Sequence, residues 1–339
     1  MAPIISIIVP VFNVFSYLPS MLDSIINQSL PAQKMEVILI DDGSKDSSGE
    51  ICDDFAAKYK NVYSYHKKNS GLGLTRNYGM NLIKGEYVTF VDSDDYLDKS
   101  AISSLVAGLD NGKNDTVIGG FTKVTDSGKK LYVEKYSSKK FTDGDIDTHL
   151  LVRMLGSSPN THDSIRPSVW NTLYSVNIIK KNKLKFVSER DLISEDIVWD
   201  TDYYKFCKSV QIIAAATYYY RLNPTSLTQI YREDRFQKNV YFFEYMIKKL
   251  SSSIIYEDAK QRLSKNLFIN MRASISQEKC NTFKSAYCHI KNMCNNKTLK
   301  QAIDDYPIKK LGKSQLCFIL MIKYKMVYSL ALLSKLGII

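Results

Sequence analysis

The first hundred residues alternate short apolar runs with segments of helical periodicity, and this alternation is the strongest constraint on the fold. The apolar runs predict four strands, at residues 4–10, 35–40, 62–66 and 87–91. Between them, apolar residues recur every three or four positions, which predicts helices over residues 17–28, 47–59 and 74–83. β-Branched runs without polar alternation are typical of buried parallel strands. The pattern therefore predicts an α/β fold with a mostly parallel sheet flanked by helices.

Acidic residues follow two of these strands, at the place where open α/β sheets bind ligands. Asp41 follows the second strand, and Asp92-Ser93-Asp94-Asp95 follows the fourth. Three carboxylates on one turn repel one another unless a cation lies among them. Carboxylate oxygens favour Mn²⁺ or Mg²⁺. The alternative is a solvated acidic turn that caps the next helix, since Asp is a common cap residue.

Four motifs in a fixed order carry a resemblance to a known family. They are Pro10-Val11-Phe12-Asn13, Asp41-Asp42-Gly43-Ser44, Asn69-Ser70-Gly71-Leu72-Gly73 with Arg76-Asn77, and Asp92-Ser93-Asp94-Asp95. Together they resemble the family-2 glycosyltransferases of the GT-A fold, of the type that builds bacterial surface polysaccharides. The resemblance is strong over roughly the first hundred residues. It continues to residue 228 through Trp170, Glu195-Asp196 and Arg221.

The resemblance implies an inverting, Rossmann-like GT-A enzyme with a UDP-sugar donor. The donor-binding residues that it implies are Pro10, Val11, Asn13, Asp41, Asn69, Gly71, Arg76, Asp92, Ser93 and Arg221. Of these, Pro10, Val11 and Asp41 would hold the uracil base, and Asp92 would contact the ribose. Asp94 would bind the Mn²⁺ or Mg²⁺ ion that bridges the two phosphates and stabilises the departing nucleotide.

Two arginines of this set have plainer interpretations. Arg76 either reaches the base or the phosphates, or forms an ion pair that orients Asp92 without touching the substrate. Arg221, with Ser226 shortly after it, matches a stretch in which a basic residue approaches the diphosphate. The alternative for Arg221 is an ordinary surface arginine.

Glu195 and Asp196 are the predicted catalytic pair, because displacement at an anomeric carbon needs a base to take the proton of the acceptor hydroxyl. The resemblance selects Asp196 as that base and leaves Glu195 to position Asp196 or the acceptor sugar. Alternatively, the two acids only favour the macrodipole at the start of a helix. Trp170 is predicted to offer an apolar platform to the acceptor sugar, with a buried core position as the alternative.

The extent of the resemblance divides the chain into two predicted domains, and the distribution of charge agrees with the division. Residues 1–228 are predicted to form the catalytic domain, with a nucleotide-binding half at 1–99 and an acceptor half at 100–228. Residues 229–339 are predicted to form a basic, mainly helical extension. The chain carries a net charge of +11, and from Ile230 onward 20 Lys and Arg residues stand against 8 Asp and Glu residues. A basic tail on a near-neutral body predicts an anionic partner.

The last part of this extension is apolar but interrupted by Lys323, Lys325 and Lys335, so no stretch is long enough to span a bilayer. Apolar residues recur there at helical spacing, at Leu316, Phe318, Ile319, Ile322, Met326, Leu330, Leu333 and Leu336. With lysines nearby, this pattern predicts C-terminal helices that lie on a membrane surface. The alternative is a helix packed on the protein or on a partner in a homodimer.

Several other features bound the function. The chain opens without a secretory signal, so we expect it in the cytoplasm, peripheral at the inner face of the cell membrane. Six scattered cysteines predict reduced thiols. The glycine-rich run at 70–75 lacks the P-loop lysine and the dinucleotide fingerprint, which excludes a nucleotide hydrolase or a dehydrogenase.

We therefore predict a hexose or N-acetylhexosamine transferase that acts on a glycan or lipid-linked oligosaccharide. One alternative is a metal-dependent nucleotidyltransferase, which would release pyrophosphate. Another is a nucleic-acid-binding protein that acts through its basic tail. The aromatic residues of the tail lie among aliphatic ones in a helical pattern, so we expect no nucleic-acid partner.

Overall fold

The computed structural model describes residues 3–223 and 231–339, and the predicted domain boundary after residue 228 and Ser226 lie outside them. The strands are β1 Ile5–Val11, β2 Met35–Asp41, β3 Val62–His66, β4 Tyr87–Phe90, β5 Tyr96–Leu97, β6 Thr116–Val124, β7 Lys130–Glu134, β8 Lys139–Thr142, β9 Thr172–Ser175 and β10 Ser209–Arg221. The α-helices are α1 Leu18–Ile26, α2 Ser48–Lys58, α3 Leu72–Met80, α4 Ala101–Gly108, α5 Val152–Met154, α6 Val176–Lys181, α7 Glu195–Tyr204, α8 Arg235–Leu250, α9 Tyr256–Gln277, α10 Phe283–Asn295, α11 Lys297–Asp305, α12 Lys313–Lys323 and α13 Val327–Lys335.

The strands form one sheet in the order β3-β2-β1-β4-β9-β6-β10-β5, with β7 beside β6 and β8 beside β10. Strands β1 to β4 pair in parallel, which confirms the βα alternation predicted for the first hundred residues. Beyond β4 the sheet is mixed, because β9 runs antiparallel to both β4 and β6. The carboxyl ends of β1, β2 and β4 therefore lie at one edge, which collects the acidic turns.

Two compact units make up the chain. The first unit contains residues 1–146, 167–190 and 195–229, and therefore the whole sheet. All seven residues of β1 and of β2 are buried, which explains their continuous apolar sequences. Helix α1 contributes Leu18, Met21 and Ile25 to the same core.

The second unit contains residues 147–166, 191–194 and 230–339 and is mainly helical. Residues 158–163 are held against α9 by two buried cations, Arg262 and Lys265. Arg262 forms an ion pair with Asp163 over 2.9 Å. The ammonium of Lys265 donates to the backbone carbonyls of Ser158 and Thr161 over 2.6 and 3.0 Å. Carbonyl oxygens thus replace the water that a buried ammonium loses.

Residues 315–339 form two helices with a turn between them, in which Lys325 has a φ of 53°. Phe318, Ile319, Ile322 and Leu330, which the periodicity assigned to the apolar face, are buried within the second unit. These four residues of the predicted face therefore pack on protein, whereas Met326 and Leu336 of the same face are exposed. Among the described residues, no helix has both the length and the apolar character needed to cross a membrane.

Candidate active site

The acidic turn after β4 is anchored to β10 through Asp95. The hydroxyl of Tyr218 donates to Oδ2 of Asp95 over 2.7 Å, and the backbone N–H of Arg221 donates to Oδ1 over 2.7 Å. Burial raises the pKa of Asp95 well above its ordinary value, and the charges of Asp94 and Asp92 raise it further. Because the protein engages both oxygens of Asp95, this residue holds the turn in place.

Asp92 and Asp94 are the carboxylates of the turn that fit a divalent cation. The side chain of Asp92 is partly exposed, and Nδ2 of Asn223 donates to Oδ2 of Asp94 over 3.0 Å. Burial and then the charge of Asp92 raise the pKa of Asp94, so a nearby cation would stabilise its ionised form. Over residues 3–223 and 231–339, no cluster of three or more His, Cys, Asp or Glu side chains could hold a metal ion. Mg²⁺, however, commonly binds through one or two carboxylates plus substrate phosphates.

Arg76 lies at the centre of the acidic residues and is 1% exposed. Its Nη1 donates to Oε1 of Glu195 and to Oδ1 of Asp196, each over 2.9 Å, and its Nη2 donates to Oδ1 of Asp92 over 3.1 Å. The planar guanidinium fits this arrangement because it offers several donors in fixed directions. In the structure Arg76 therefore forms ion pairs with the acidic residues, which is the second of its two interpretations. We no longer assign it a contact with the donor.

Glu195 and Asp196 lie in the first turn of α7. Burial is the largest influence on both carboxyls and raises the pKa of each; that of Glu195 rises to about 8. The charge of Arg76 opposes this rise in both groups. Asp196 keeps part of its side chain exposed, so a substrate hydroxyl could reach it. A carboxylate with a raised pKa and an open side has the properties of a general base near neutral pH.

Asp41, at the end of β2, is held by its neighbours on both oxygens. The backbone N–H of Ser44 donates to Oδ1 over 2.9 Å, and Nδ1 of His66 lies 3.1 Å from Oδ2. The other ring nitrogen of His66 lies 2.9 Å from Oδ1 of Asp53. The imidazole is thus fixed between two carboxylates, and these contacts raise its pKa. This arrangement sets the direction in which Asp41 points.

Asp42 organises the loop before α3. Its carboxylate accepts from Nδ2 of Asn69 over 3.1 Å, from the backbone N–H of Ser70 over 2.9 Å and from that of Gly71 over 2.8 Å. Lys67 also donates to it. Gly71 has a φ of 97°, which favours glycine.

A short segment before α7 closes over this loop. Glu189 accepts from the backbone N–H of Gly73 over 3.0 Å, and Arg190 donates to the side chain of Asn69. A Cβ at Gly71 would collide with the carboxylate of Glu189. Two of the predicted donor-binding residues, Asn69 and Gly71, are therefore held by partners on both sides.

The turn after β1 is tied to the turn after β2. Pro10 and Val11 are buried at the end of β1. Asn13 has a φ of 51°, and its Oδ1 accepts from the backbone N–H of Lys45 over 2.8 Å. Its own N–H donates to Oγ of Ser44 over 3.1 Å. The two predicted base-binding segments are therefore neighbours.

Arg221 is not an ordinary surface arginine. Its guanidinium carbon lies 5.1 Å from the ring centre of Tyr17 and 5.1 Å from that of Tyr96, and Nη2 lies 3.3 Å from Oγ of Ser20. Its Nε is buried and has no hydrogen-bond partner among residues 3–223 and 231–339. Its positive charge favours the ionised form of Asp94, so it lies close to the acidic turn. Ser93, in that turn, is buried.

Trp170 lies in the core rather than at an open surface. Its ring is 5% exposed, stacks on Tyr218 at 4.2 Å and meets Phe121 edge-on at 5.1 Å. This is the core alternative, so the ring offers no open face to a sugar. We therefore withdraw the acceptor role for Trp170.

Several residues of the site were not predicted from the sequence, among them Asp42, His66 and Glu189. The sequence contained a signal that could have identified Asp42, because it is the second acid of an acidic turn. No such signal marked His66 or Glu189, since their partners are distant in sequence and contact them only in the folded protein.

Comparison with known proteins places this geometry in a family. Residues 6–155 match the family described as glycosyl transferase family 2. EpsH of Bacillus subtilis (strain 168), named as a glycosyltransferase, is 24% identical over 98% of this chain and 95% of its own length. The poly(ribitol-phosphate) beta-glucosyltransferase of Bacillus spizizenii is 29% identical over 64% of this chain but only 32% of its own length.

A solved structure has the same fold. S. aureus TarS 1–349 in complex with UDP-GlcNAc aligns with a TM-score of 0.64 over 98% of this chain and 92% of that chain, at 19% sequence identity. At this level of identity the match shows the fold alone.

Proposed function

Because this chain belongs to glycosyl transferase family 2, we propose that it is an inverting enzyme that moves a hexose or N-acetylhexosamine from a UDP-sugar to a hydroxyl group. The acceptor in this proposal is a glycan or lipid-linked oligosaccharide used in the synthesis of a surface polysaccharide or teichoic acid. The name of the Bacillus spizizenii relative supports the class of acceptor, and the UDP-GlcNAc bound to TarS supports the class of donor.

The observation that carries the proposal is the bridge that Arg76 makes between two carboxylates with different roles. One guanidinium holds Oδ1 of Asp92, after β4, at 3.1 Å and Oδ1 of Asp196, at the start of α7, at 2.9 Å. Asp92 belongs to the turn that would hold the ribose and phosphates. Asp196 is therefore fixed beside the place where the anomeric carbon of a donor would lie.

In the proposed reaction, the Asp196 carboxylate takes the proton of the acceptor hydroxyl. The hydroxyl oxygen attacks the anomeric carbon from the side opposite to UDP and forms the new glycosidic bond. The bond between that carbon and the phosphate oxygen breaks, and its electron pair leaves with UDP. The charge of Arg76 opposes the effect of burial and so favours the ionised form of Asp196, while Glu195 shares the same guanidinium and limits its rotation.

The remaining groups bind the donor. Asp41 would accept the N–H of the uracil ring, with Pro10 and Val11 beside the base. Asp94, with Asp92 next to it, would hold Mn²⁺ or Mg²⁺. That ion would supply Lewis-acid stabilisation of the negative charge on the leaving diphosphate. Arg221, with its unpartnered Nε, would add a fixed positive charge near the diphosphate.

We assign catalysis to residues 1–228 and acceptor delivery to the remainder. A lipid-linked acceptor would bring the enzyme to the inner face of the cell membrane, and the basic charge of residues 229–339 supports contact with anionic headgroups.

A donor screen tests the proposal. The full chain is incubated with Mn²⁺, a panel of UDP-hexoses and UDP-N-acetylhexosamines, and polysaccharide or lipid-linked acceptors. We expect acceptor-dependent release of UDP with one donor and a product whose anomeric configuration is inverted. Release of pyrophosphate would instead indicate a nucleotidyltransferase, and no turnover with any UDP-sugar would overturn the assignment of the donor.

A further inference from the structure

Helix α13 has a second apolar face that its packing leaves uncovered. Its buried face consists of Val327, Leu330, Ala331 and Ser334, which pack within the second unit. On the remaining face Tyr328 is 65% and Leu332 43% exposed, and Leu336, directly after the helix, is 62% exposed. Residues four positions apart lie next to each other along a helix. We call Tyr328, Leu332 and Leu336 the apolar stripe.

The apolar stripe extends beyond its own helix. The ring of Phe283, at the start of α10, lies 5.4 Å from that of Tyr328, and Phe283 is itself exposed. Tyr324 and Met326, in the turn before α13, are exposed as well. Apolar groups gathered at a surface, rather than scattered over it, mark a site of interaction.

The surroundings of the apolar stripe are basic. No acidic residue follows Asp305 in the sequence, whereas six lysines do. Helix α10, which packs on α13, contains the exposed Lys284 and Lys291 and no acidic residue. Lys323 forms an ion pair with Asp304 over 2.8 Å, but the charge of Lys325 still lowers the pKa of the neighbouring Lys300. An anionic partner would relieve this crowding of positive charge.

These observations select one partner among three classes. A second copy of the chain would bring the same lysines against each other, which repels. A single-stranded nucleic acid needs aromatic faces on which bases stack, and two of the three residues of the apolar stripe are leucines. An anionic bilayer accepts aliphatic and aromatic side chains below its headgroups and lysines at their level.

We propose that the apolar stripe and the lysines around it dock this chain on an anionic lipid surface. The inference rests on the membrane association included in the proposed function, and it deepens that part by naming the residues. Only Leu336 of the stripe is among the residues that the helical pattern singled out, because four of those eight residues are buried.

Vesicle flotation of the full chain tests the inference. The vesicles contain phosphatidylcholine alone or with about one-third phosphatidylglycerol. We expect binding only to the anionic vesicles, weakened by salt. The triple variant Tyr328→Ser, Leu332→Ser, Leu336→Ser should lose at least about tenfold in binding, since its apolar contacts with the bilayer are removed.

A matched control removes equally exposed apolar residues elsewhere in the second unit. Tyr241, Ile254 and Ile269 are 55%, 85% and 54% exposed. The triple variant Tyr241→Ser, Ile254→Ser, Ile269→Ser should bind anionic vesicles within about twofold of the wild type. Urea unfolding of both variants shows whether the fold is kept, and a charge reversal, Lys325→Glu, provides a second route to weaker binding.

Other outcomes would overturn the inference: equal binding by the stripe variant and the control, tight RNA binding without vesicle binding, or a dimer that the stripe substitutions dissociate. Failure of the proposed transferase activity is distinguishable. Vesicle binding without UDP release from any donor would leave the docking surface standing and remove the assignment of a UDP-sugar donor. UDP release with a soluble acceptor, but no vesicle binding, would remove the docking surface alone.

Discussion

Nη1 of Arg76 lies 2.9 Å from Oδ1 of Asp196, so the proposed base is held by a cation that is itself almost completely buried. Burial alone would keep Asp196 protonated and unable to act as a base. The ion pair opposes that effect and also links the residue to Asp92. The geometry of the site therefore depends on Arg76 as much as on the carboxylates.

Replacing Arg76 by Met should be strongly destabilising. The substitution leaves three carboxylates without their shared cation, and removing one partner from a buried ionic cluster costs about 3–5 kcal/mol. The free energy of unfolding in urea measures the effect. Arg232→Met, which breaks the partly exposed pair with Asp234, should cost less than about 1 kcal/mol. Equal losses in the two variants would contradict the account of Arg76.

Tyr218→Phe should destabilise the acidic turn. It removes the hydroxyl that donates to Oδ2 of the buried Asp95, and a buried acceptor left unsatisfied costs about 1–3 kcal/mol. Urea unfolding measures this loss. Tyr219→Phe, in the same strand but with its ring stacked on Tyr96, is the control and should change stability by less than about 0.5 kcal/mol. A neutral Tyr218→Phe would mean that Asp95 is not held in this way.

The contribution of His66 to stability should depend on pH. Its folded-state pKa is raised, first by the hydrogen bond to Asp53 and then by that to Asp41. The stabilisation is therefore fully present below the unfolded-state pKa of about 6.5 and is lost as pH rises through the folded-state value. The difference in unfolding free energy between the wild type and His66→Gln should shrink between about pH 5.5 and pH 8.5.

A constant or growing difference over that range would show that these carboxylates do not stabilise the protonated form of His66. His162→Gln, at an exposed position, is the control substitution.

The same His66→Gln variant should bind UDP more weakly, because Asp41 loses the group that orients it. Isothermal titration with UDP measures this second effect.

Asp94→Asn should abolish the stimulation of UDP binding by Mn²⁺. The amide keeps the shape of the side chain but removes the negative charge that attracts a hard cation. Titrations with UDP, with and without Mn²⁺, measure the effect as a ratio of affinities. Asp98→Asn is the control. The carboxylate of Asp98 accepts from the backbone N–H of Ser100, and its substitution should leave that ratio unchanged. An unchanged ratio in Asp94→Asn would assign the metal to other groups.

Local patterns predicted the elements of this protein well where one face or both faces of an element are buried. Strands β1 and β2 are buried along their whole length, so their apolar runs were unambiguous. The antiparallel pairing of β9 with β4 and β6 was not predicted, because strand direction depends on connections through distant parts of the chain. The acidic turns were predictable, since small and acidic residues after a buried strand leave few alternatives.

Long-range partners were harder to predict. The position of Arg76 depends on Glu195 and Asp196, more than a hundred residues later, so the sequence left its two interpretations equal. Trp170 was ambiguous because a tryptophan serves equally as a sugar platform and as a core residue. The same limit applied to residues 315–339, where periodicity detected apolar positions but did not reveal which of them pack on protein and which are exposed.

The most direct test of the central claim compares Asp196→Asn with the wild type in two assays. The first measures acceptor-dependent UDP release, and the second measures UDP binding in the presence of Mn²⁺ by calorimetry. We expect release to fall by at least about a hundredfold, the range of a lost general base, while UDP affinity stays within about threefold. UDP release close to the wild-type rate by Asp196→Asn would contradict the claim that Asp196 is the catalytic base.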